Sequence, residues 1–204
     1  MLTLDHIALA TTDLTSGTAW VETAFAVPMA PGGQHKEMGT QNRLLSLGPK
    51  EYLELIAINP DAPGPAQPRW FDLDTFTGPT RPRAWIAQVP DLEAAIAAAP
   101  EGIGVPWSLQ RNDLTWKMAI PKTGKLPFDG LFPALIEWQG QTHPAPHLPD
   151  QGIRLTRLQL SHPGADALRA AMTPICDDPR LQVISGDTAC LSLRFDTPNG
   201  VLHI

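Results

Sequence analysis

The chain has 204 residues, of which 43% are hydrophobic and 18% charged, and carries a formal net charge of −6. That length and apolar content can build a sizeable core in one large domain or two small modules, so global disorder is a poor description. The acidic balance and the lack of a dense basic run argue against a nucleic-acid binder, and no stretch of about 18 apolar residues offers a transmembrane helix.

The chain opens on LTLDHIALATTDL, with no charged region of the kind that begins a signal peptide. Alternation predicts a strand in which Asp5, Ile7 and Leu9 point one way and Leu4, His6, Ala8 and Ala10 the other. Thr12 and Asp13 stand where a helix N-cap belongs, and the helix should run from Leu14 to about Phe25 before Val27-Pro28 ends it. The next piece, PGGQHKEMGTQNR, has three glycines and little periodicity. It reads either as a plain solvated loop, which composition favours, or as a ligand-facing loop whose glycines admit close backbone approach. A short strand from Arg43 to Leu47 turns at Gly48-Pro49-Lys50 into a second strand, EYLELIAIN, which carries Glu54 among apolar neighbours.

Residues 59–82 form a proline-rich connector. Its Trp70, Phe71 and Phe76 predict that it packs down on the body rather than acting as a flexible linker. The layout then begins again. Arg83–Val89 reads as a strand, Asp91 caps a helix through EAAIAAA, and strands follow at Trp107–Arg111 and Leu114–Ile120. PALIEWQ repeats the pattern of EYLELIA with Glu137 in the place of Glu54, and a second connector follows from Gln141. A third pass from Ile153 offers a strand, a helix from Ala165 to Met172, and short strands at Leu181–Ile184, Cys190–Phe195 and Val201–Ile204. Strand, helix and three strands therefore recur three times. Cys176 and Cys190 lack a CxxC spacing and read as inert or buried thiols, which points weakly to the cytoplasm.

The segments LDHIALATTDL at 4–14, GGQHKEMGTQNRLLSLG at 32–48 and EYLELIAI at 51–58, in that order and spacing, resemble the glyoxalase-like branch of the vicinal oxygen chelate superfamily, and a bacterial source is expected. ALIEWQGQTHPA at 134–145 is similar to the later part of the same branch. The resemblance implies an α+β fold of repeated βαβββ modules whose curved mixed sheets enclose a cavity, as in the glyoxalase, bleomycin-resistance and dihydroxybiphenyl dioxygenase folds. It divides the chain into paired modules within 1–150, at about 1–58 and 83–145, and a third, partial unit at 151–204.

In metal-using relatives the ligands come from the first and last strands of each paired module. Carried across, these are His6, Glu54 and Glu137. Aligning Asp91-Leu92 on Asp13-Leu14 puts Ala84, not a histidine, opposite His6. One imidazole and two carboxylates would suit one divalent ion such as Zn, Mn, Fe or Ni, with Glu54 and Glu137 catalytic. Without a metal the two carboxylates would form a polar or acid–base pair in which one has a raised pKa. The resemblance also puts His35, Thr40 and Asn42 at the cavity lip. Arg111, Trp116 and Lys117 could line the second module's side, or be a surface charge and a core aromatic. The other histidines, His143 among them, read as surface or connector residues. Two functions stay open: a metal-assisted lyase, isomerase or dioxygenase-type enzyme, and a metal-free binding or drug-sequestering protein. The expected partners are a small-molecule substrate or ligand and a second copy in a homodimer, with no nucleic acid and no membrane.

Overall fold

A computed structural model describes residues 1–140 and 142–204; the first residue of the second connector, Gln141, lies outside the described residues. The first module comprises β1 (Thr3–Ala10), α1 (Leu14–Phe25), β2 (Ala30–His35), β3 (Thr40–Ser46) and β4 (Tyr52–Ile58). The second comprises β5 (Arg81–Gln88), α2 (Leu92–Ala98), β6 (Val105–Arg111), β7 (Leu114–Ile120) and β8 (Ala134–Gln139). Together they make one eight-stranded sheet in the order β2-β3-β4-β1-β5-β8-β7-β6. The modules meet at the centre, where β1 pairs antiparallel with β5. The sheet curls until the edge strands β2 and β6 touch, so its concave side closes into a cavity. The alternating apolar pattern of β1 and β4 is explained by this position: both strands are central, and nearly every residue in them is buried.

The helices begin where the sequence sets them. Asp13 Oδ1 accepts from Ser16 N at 2.7 Å and Asp91 Oδ1 from Ala94 N at 2.9 Å, the same cap in the two modules. The glycine-rich segment is not a plain loop. Most of it forms the edge strand β2 and its turn into β3, with the ladder irregular between Pro31 and Gln34.

The third unit, β9 (Arg154–His162), α3 (Ala165–Met172), β10 (Leu181–Ser185), β11 (Cys190–Thr197) and β12 (Gly200–His203), repeats the string of elements but not the wiring. Its own sheet runs β10-β9-β11-β12, with the first strand inside, whereas the first strand of each paired module closes one end of its module's four. Reading it as a degraded copy of the module is therefore corrected by the strand order. It shares a continuous apolar core with the paired modules, for example through the edge-on contact of Phe25 with Phe195 at 5.1 Å. Arg180 also reaches Glu51 with two hydrogen bonds at 2.6 and 2.7 Å.

The connector between the modules is packed down, with Trp70, Phe71, Leu73 and Phe76 all buried. Cys176 is half-buried and Cys190 exposed; both are free thiols. Among the described residues no helix is long and apolar enough to cross a membrane.

Candidate active site

The concave face holds a small polar cavity of about 30 Å³ lined by His6, His35, Tyr52, Glu54, Trp70, Phe71, Arg111, Trp116, Met118, Ile136 and Trp138. Its walls come from β1, β2 and β4 of the first module, from β6, β7 and β8 of the second, and from the connector that carries Trp70 and Phe71.

His6 is the centre of the arrangement. Its Nδ1 lies 2.6 Å from Asp5 Oδ1, and its Nε2 faces Glu54 Oε2 at 3.6 Å. Neighbouring residues of a regular strand point to opposite faces, and alternation alone assigns Asp5 and His6 that way. The ladder between β1 and β5 slips between Leu4 and His6, leaving Asp5 as the extra residue of a bulge. The bulge turns Asp5 toward the cavity wall, where its Oδ2 accepts from Trp138 Nε1 at 2.8 Å and meets His143 Nε2 at 3.1 Å. Tyr52 stacks on the His6 ring at 4.4 Å with an interplanar angle of 13°.

A second chain of contacts runs across the cavity. Glu54 Oε1 accepts from Asn42 Nδ2 at 2.5 Å, and Asn42 Oδ1 accepts from Arg111 Nη1 at 3.0 Å and from Gly33 N at 2.8 Å. Arg111 Nη1 also lies 3.4 Å from His35 Nε2, and His35 Nδ1 lies 3.0 Å from Thr40 Oγ1. Gly33 lets β6 reach into the first module, and Gly32 lets β2 close on β3. A Cβ on Gly33 would sit 2.7 Å from Arg111 Cδ, and one on Gly32 would sit 2.2 Å from the Asn42 carbonyl oxygen. These glycines serve close approach of the backbone to Asn42 and Arg111 within a strand, which differs from both loop readings.

The two histidines have opposite protonation preferences. Burial alone would lower His6, but the hydrogen bonds and charges of Asp5 and Glu54 outweigh it and raise the imidazole to about 9. Burial lowers His35 to about 4, with the Arg111 and His6 charges adding to it against Glu54. Burial would raise Glu54, but the His6 bond and charge carry it down to about 2. Asp5 is held well below the usual carboxylate range by His143 and His6 despite its burial. Burial pushes the Tyr52 phenol well above its ordinary value, so it stays neutral. At neutral pH one cavity thus contains an imidazolium, a neutral imidazole, a guanidinium and a carboxylate.

Glu137 does not join them. It lies at the start of α2, where its Oε2 accepts from Leu92 N at 2.8 Å, and its Oε1 accepts from Gln139 Nε2. The error is one of register. Ala8 pairs with Glu54, and Ile86, which stands to the Asp91 cap as Ala8 stands to the Asp13 cap, pairs with Ala134. Ala134 therefore occupies the place of Glu54, while Ile136 and Trp138 are the β8 side chains that line the cavity. Lys117, paired with Glu137 across β7 and β8, is likewise absent from the lining.

Both second-module counterparts of His6 and Glu54 are alanines, Ala84 and Ala134. Among the described residues no group of three or more His, Cys, Asp or Glu side chains is placed to hold a metal ion. Arg111 lines the same cavity and is joined to Glu54 only through the side chain of Asn42. The ligand set His6, Glu54 and Glu137 expected for Zn, Mn, Fe or Ni does not assemble, and these residues do not fit a resident divalent ion. The expected repulsion between Glu54 and Glu137 fails for the same reason. Glu54 is paired with His6 and its pKa falls instead of rising.

Of the other expected residues, His35, Arg111 and Trp116 line the cavity, and Thr40 and Asn42 bond to its lining. Sequence reasoning missed Asp5, Tyr52, Trp70, Trp138 and His143. Only Asp5 carried a usable signal, since an acidic residue in a central apolar strand needs a buried partner.

A curved sheet of paired βαβββ modules around a polar cavity defines a glyoxalase-like fold. A glyoxalase-like domain model matches residues 4–176, and the chain belongs to that family, within the vicinal oxygen chelate superfamily. No curated protein matches the chain. A hypothetical protein from Staphylococcus aureus superposes with a TM-score of 0.62 at 12% identity, over 93% of this chain and 88% of that one. Methylmalonyl-CoA epimerase from Streptomyces coelicolor, in complex with 2-nitronate-propionyl-CoA, superposes with a TM-score of 0.48 at 15% identity, over 69% of this chain and 100% of that one.

Replacing Glu54 by glutamine is expected to keep the Asn42 contact and remove the charge facing His6. The His6 pKa should drop from about 9 while staying above 6.5 because Asp5 remains. Stability should fall by about 1–3 kcal/mol, because the Asn42 bond loses its charged acceptor and the buried imidazolium loses one of its two facing carboxylates. NMR titration of the imidazole and urea unfolding of the variant check both. An unmoved His6 would show that Glu54 is not its partner.

Proposed function

We propose that this protein seats the oxygenated end of a small anion at the cavity and catalyses proton transfer there, as an isomerase or lyase acting next to a carbonyl. The observation that carries this is the pairing of two oppositely tuned histidines in one cavity. His6 is clamped between Asp5 and Glu54, and His35 is buried beside Arg111. Two titratable groups pushed apart by their surroundings divide into acid and base.

His35 is the base. Thr40 fixes its Nδ1 side, and its Nε2 makes only a long contact to Arg111. A substrate carboxylate that engages Arg111 leaves Nε2 free to take a proton from the carbon beside the carbonyl. The electron pair of that C–H bond moves toward the carbonyl oxygen and forms an enolate. His6 meets the developing charge. Its Nε2–H faces Glu54 at 3.6 Å, too long for a good hydrogen bond, so it can turn its donor to the enolate oxygen. Return of the proton from His35 to the opposite face of the planar carbon, once the enolate has turned over beneath it, gives the isomer, and departure of a group from the neighbouring carbon gives the lyase product. Glu54, first expected to act as an acid or base itself, instead holds His6 cationic and links it through Asn42 to Arg111. Asp5 positions the ring. Both free thiols suit a reducing cytoplasm.

Incubating the protein in D2O with small enolisable oxo-carboxylates tests this by proton NMR. Deuterium should enter at the carbon beside the carbonyl with the native protein and slow by about a hundredfold or more in His35→Gln, the usual effect of losing a general base. Ligand-induced melting shifts without isotope exchange in any substrate would assign a binding protein and overturn the enzymatic reading.

A further inference from the structure

The cavity of about 30 Å³ is water-sized, far below the roughly 300–1,000 Å³ of sites that enclose a metabolite. Beside it runs an open groove of about 520 Å³ between the β2–β3 and β6–β7 hairpins and residues 142–151. Arg111 lines both spaces. We propose that the groove is the second half of the ligand site, and that the ligand is an amphipathic carboxylate whose head meets Arg111 and whose apolar tail lies along the groove. This rests on the reading of the cavity as an anion site and specifies its substrate class.

Arg111 supplies the head-group argument. Its side chain is more than nine-tenths buried, yet its hydrogen bonds among the described residues all run from Nη1 to neutral acceptors, Asn42 Oδ1 and His35 Nε2. Among the described residues Nη2 and Nε have no protein acceptor, and no carboxylate forms an ion pair with the guanidinium. A buried cation without a counter-charge is costly, and a bidentate carboxylate matches the two free donors, Nε and Nη2, on one edge of the fork. Asp113 stands exposed at the rim, clear of these bonds.

The groove supplies the tail argument. Met29, Leu44, Leu114 and Leu148 line it together with five prolines and alanines that offer little hydrogen bonding. Its polar members, His143 and His147 among them, come mostly from the 142–151 side. A phosphate-bearing or sugar ligand would need many more donors along its length than this wall provides, whereas an alkyl chain needs only the apolar surface.

Calorimetric titration of the native protein with straight-chain carboxylates from butanoate to decanoate tests the assignment. Affinity should rise about fourfold for each added methylene, the value of burying one CH2, until the groove is filled. The chain-matched alcohols should bind at least tenfold more weakly than the acids. Pro31→Asp places a charge on the exposed β2 wall of the groove without touching the core. It should flatten the chain-length dependence and leave butanoate binding in place. Arg111→Gln should weaken all the acids and bring them level with the alcohols. Affinity independent of chain length, or equal binding of acid and alcohol to the native protein, overturns the proposal. Both readouts use the native chain, so they hold even if Arg111→Gln fails to fold. Chain-length-dependent acid binding without any D2O exchange would sink the proton-transfer reading and leave this one standing. Exchange without length dependence would do the reverse.

Discussion

Replacing Asp5 by alanine is expected to destabilise the protein by about 3–5 kcal/mol, the cost of removing one partner from a buried charge pair. Asp5 has no solvent exposure and anchors three groups: the His6 Nδ1, the Trp138 indole N–H and the His143 ring. The truncation would leave a cationic imidazole facing Glu54 alone and an indole donor without an acceptor inside the fold. Asp5→Asn separates charge from shape. It keeps the volume and can still accept from Trp138, so it should recover part of the loss while His6 falls from about 9. Urea unfolding gives the stability and NMR titration the pKa. A loss under about 1 kcal/mol in the alanine variant would be out of scale with a buried, triply bonded carboxylate and would refute its role.

The second large effect is a stability optimum near pH 6.5. Both histidines start from an ordinary value of 6.5 in the unfolded chain and move in opposite directions on folding. His6 is raised to about 9, so the folded state holds a proton that the unfolded state releases above 6.5; its contribution is complete below 6.5 and is lost as pH rises through 9. His35 is lowered to about 4, so between 4 and 6.5 the unfolded state holds the extra proton and stability falls on acidification. Glu54, lowered from 4.5 to about 2, extends the acid limb: its stabilisation is present above 4.5 and disappears as pH falls through 2. Each histidine limb amounts to about 3 kcal/mol at the usual free energy per pKa unit. Denaturant midpoints measured from pH 4 to 9 should trace a peak rather than a plateau. His35→Gln should flatten the acid side down to about pH 4.5, and His6→Gln the alkaline side. A flat profile in the native protein would contradict the opposed tuning of the two rings.

The elements themselves were legible in the sequence. The N-caps at Asp13 and Asp91, the alternation in β1 and β4, and the bound prolines and aromatics of the connector all act locally, within one turn or one strand. The paired positions of the two caps also made Ala84 readable as the counterpart of His6. The third unit shows the limit of this local reading. Its string of strand, helix and three strands is the same as in the modules, but the string does not say which strands pair, and β9 took the interior place in its sheet.

The candidate site divides along the same line. Sequence alone set Glu54 among apolar neighbours and Arg111 in a second-module strand, and the family resemblance singled out His6, Glu54, His35 and Asn42. Which partners those groups found was decided only by tertiary structure. A single extra residue at Asp5 bulges β1 and brings two adjacent side chains to one wall. The register of β8 puts Ala134 opposite Ile86 and turns Glu137 to the cap of α2. The curl of the sheet brings Gly33 of one edge strand under Arg111 of the other. Strand register and sheet closure are set by contacts between residues distant in the chain. A shift of one residue in either reverses which face a side chain takes, and local sequence patterns cannot fix that choice.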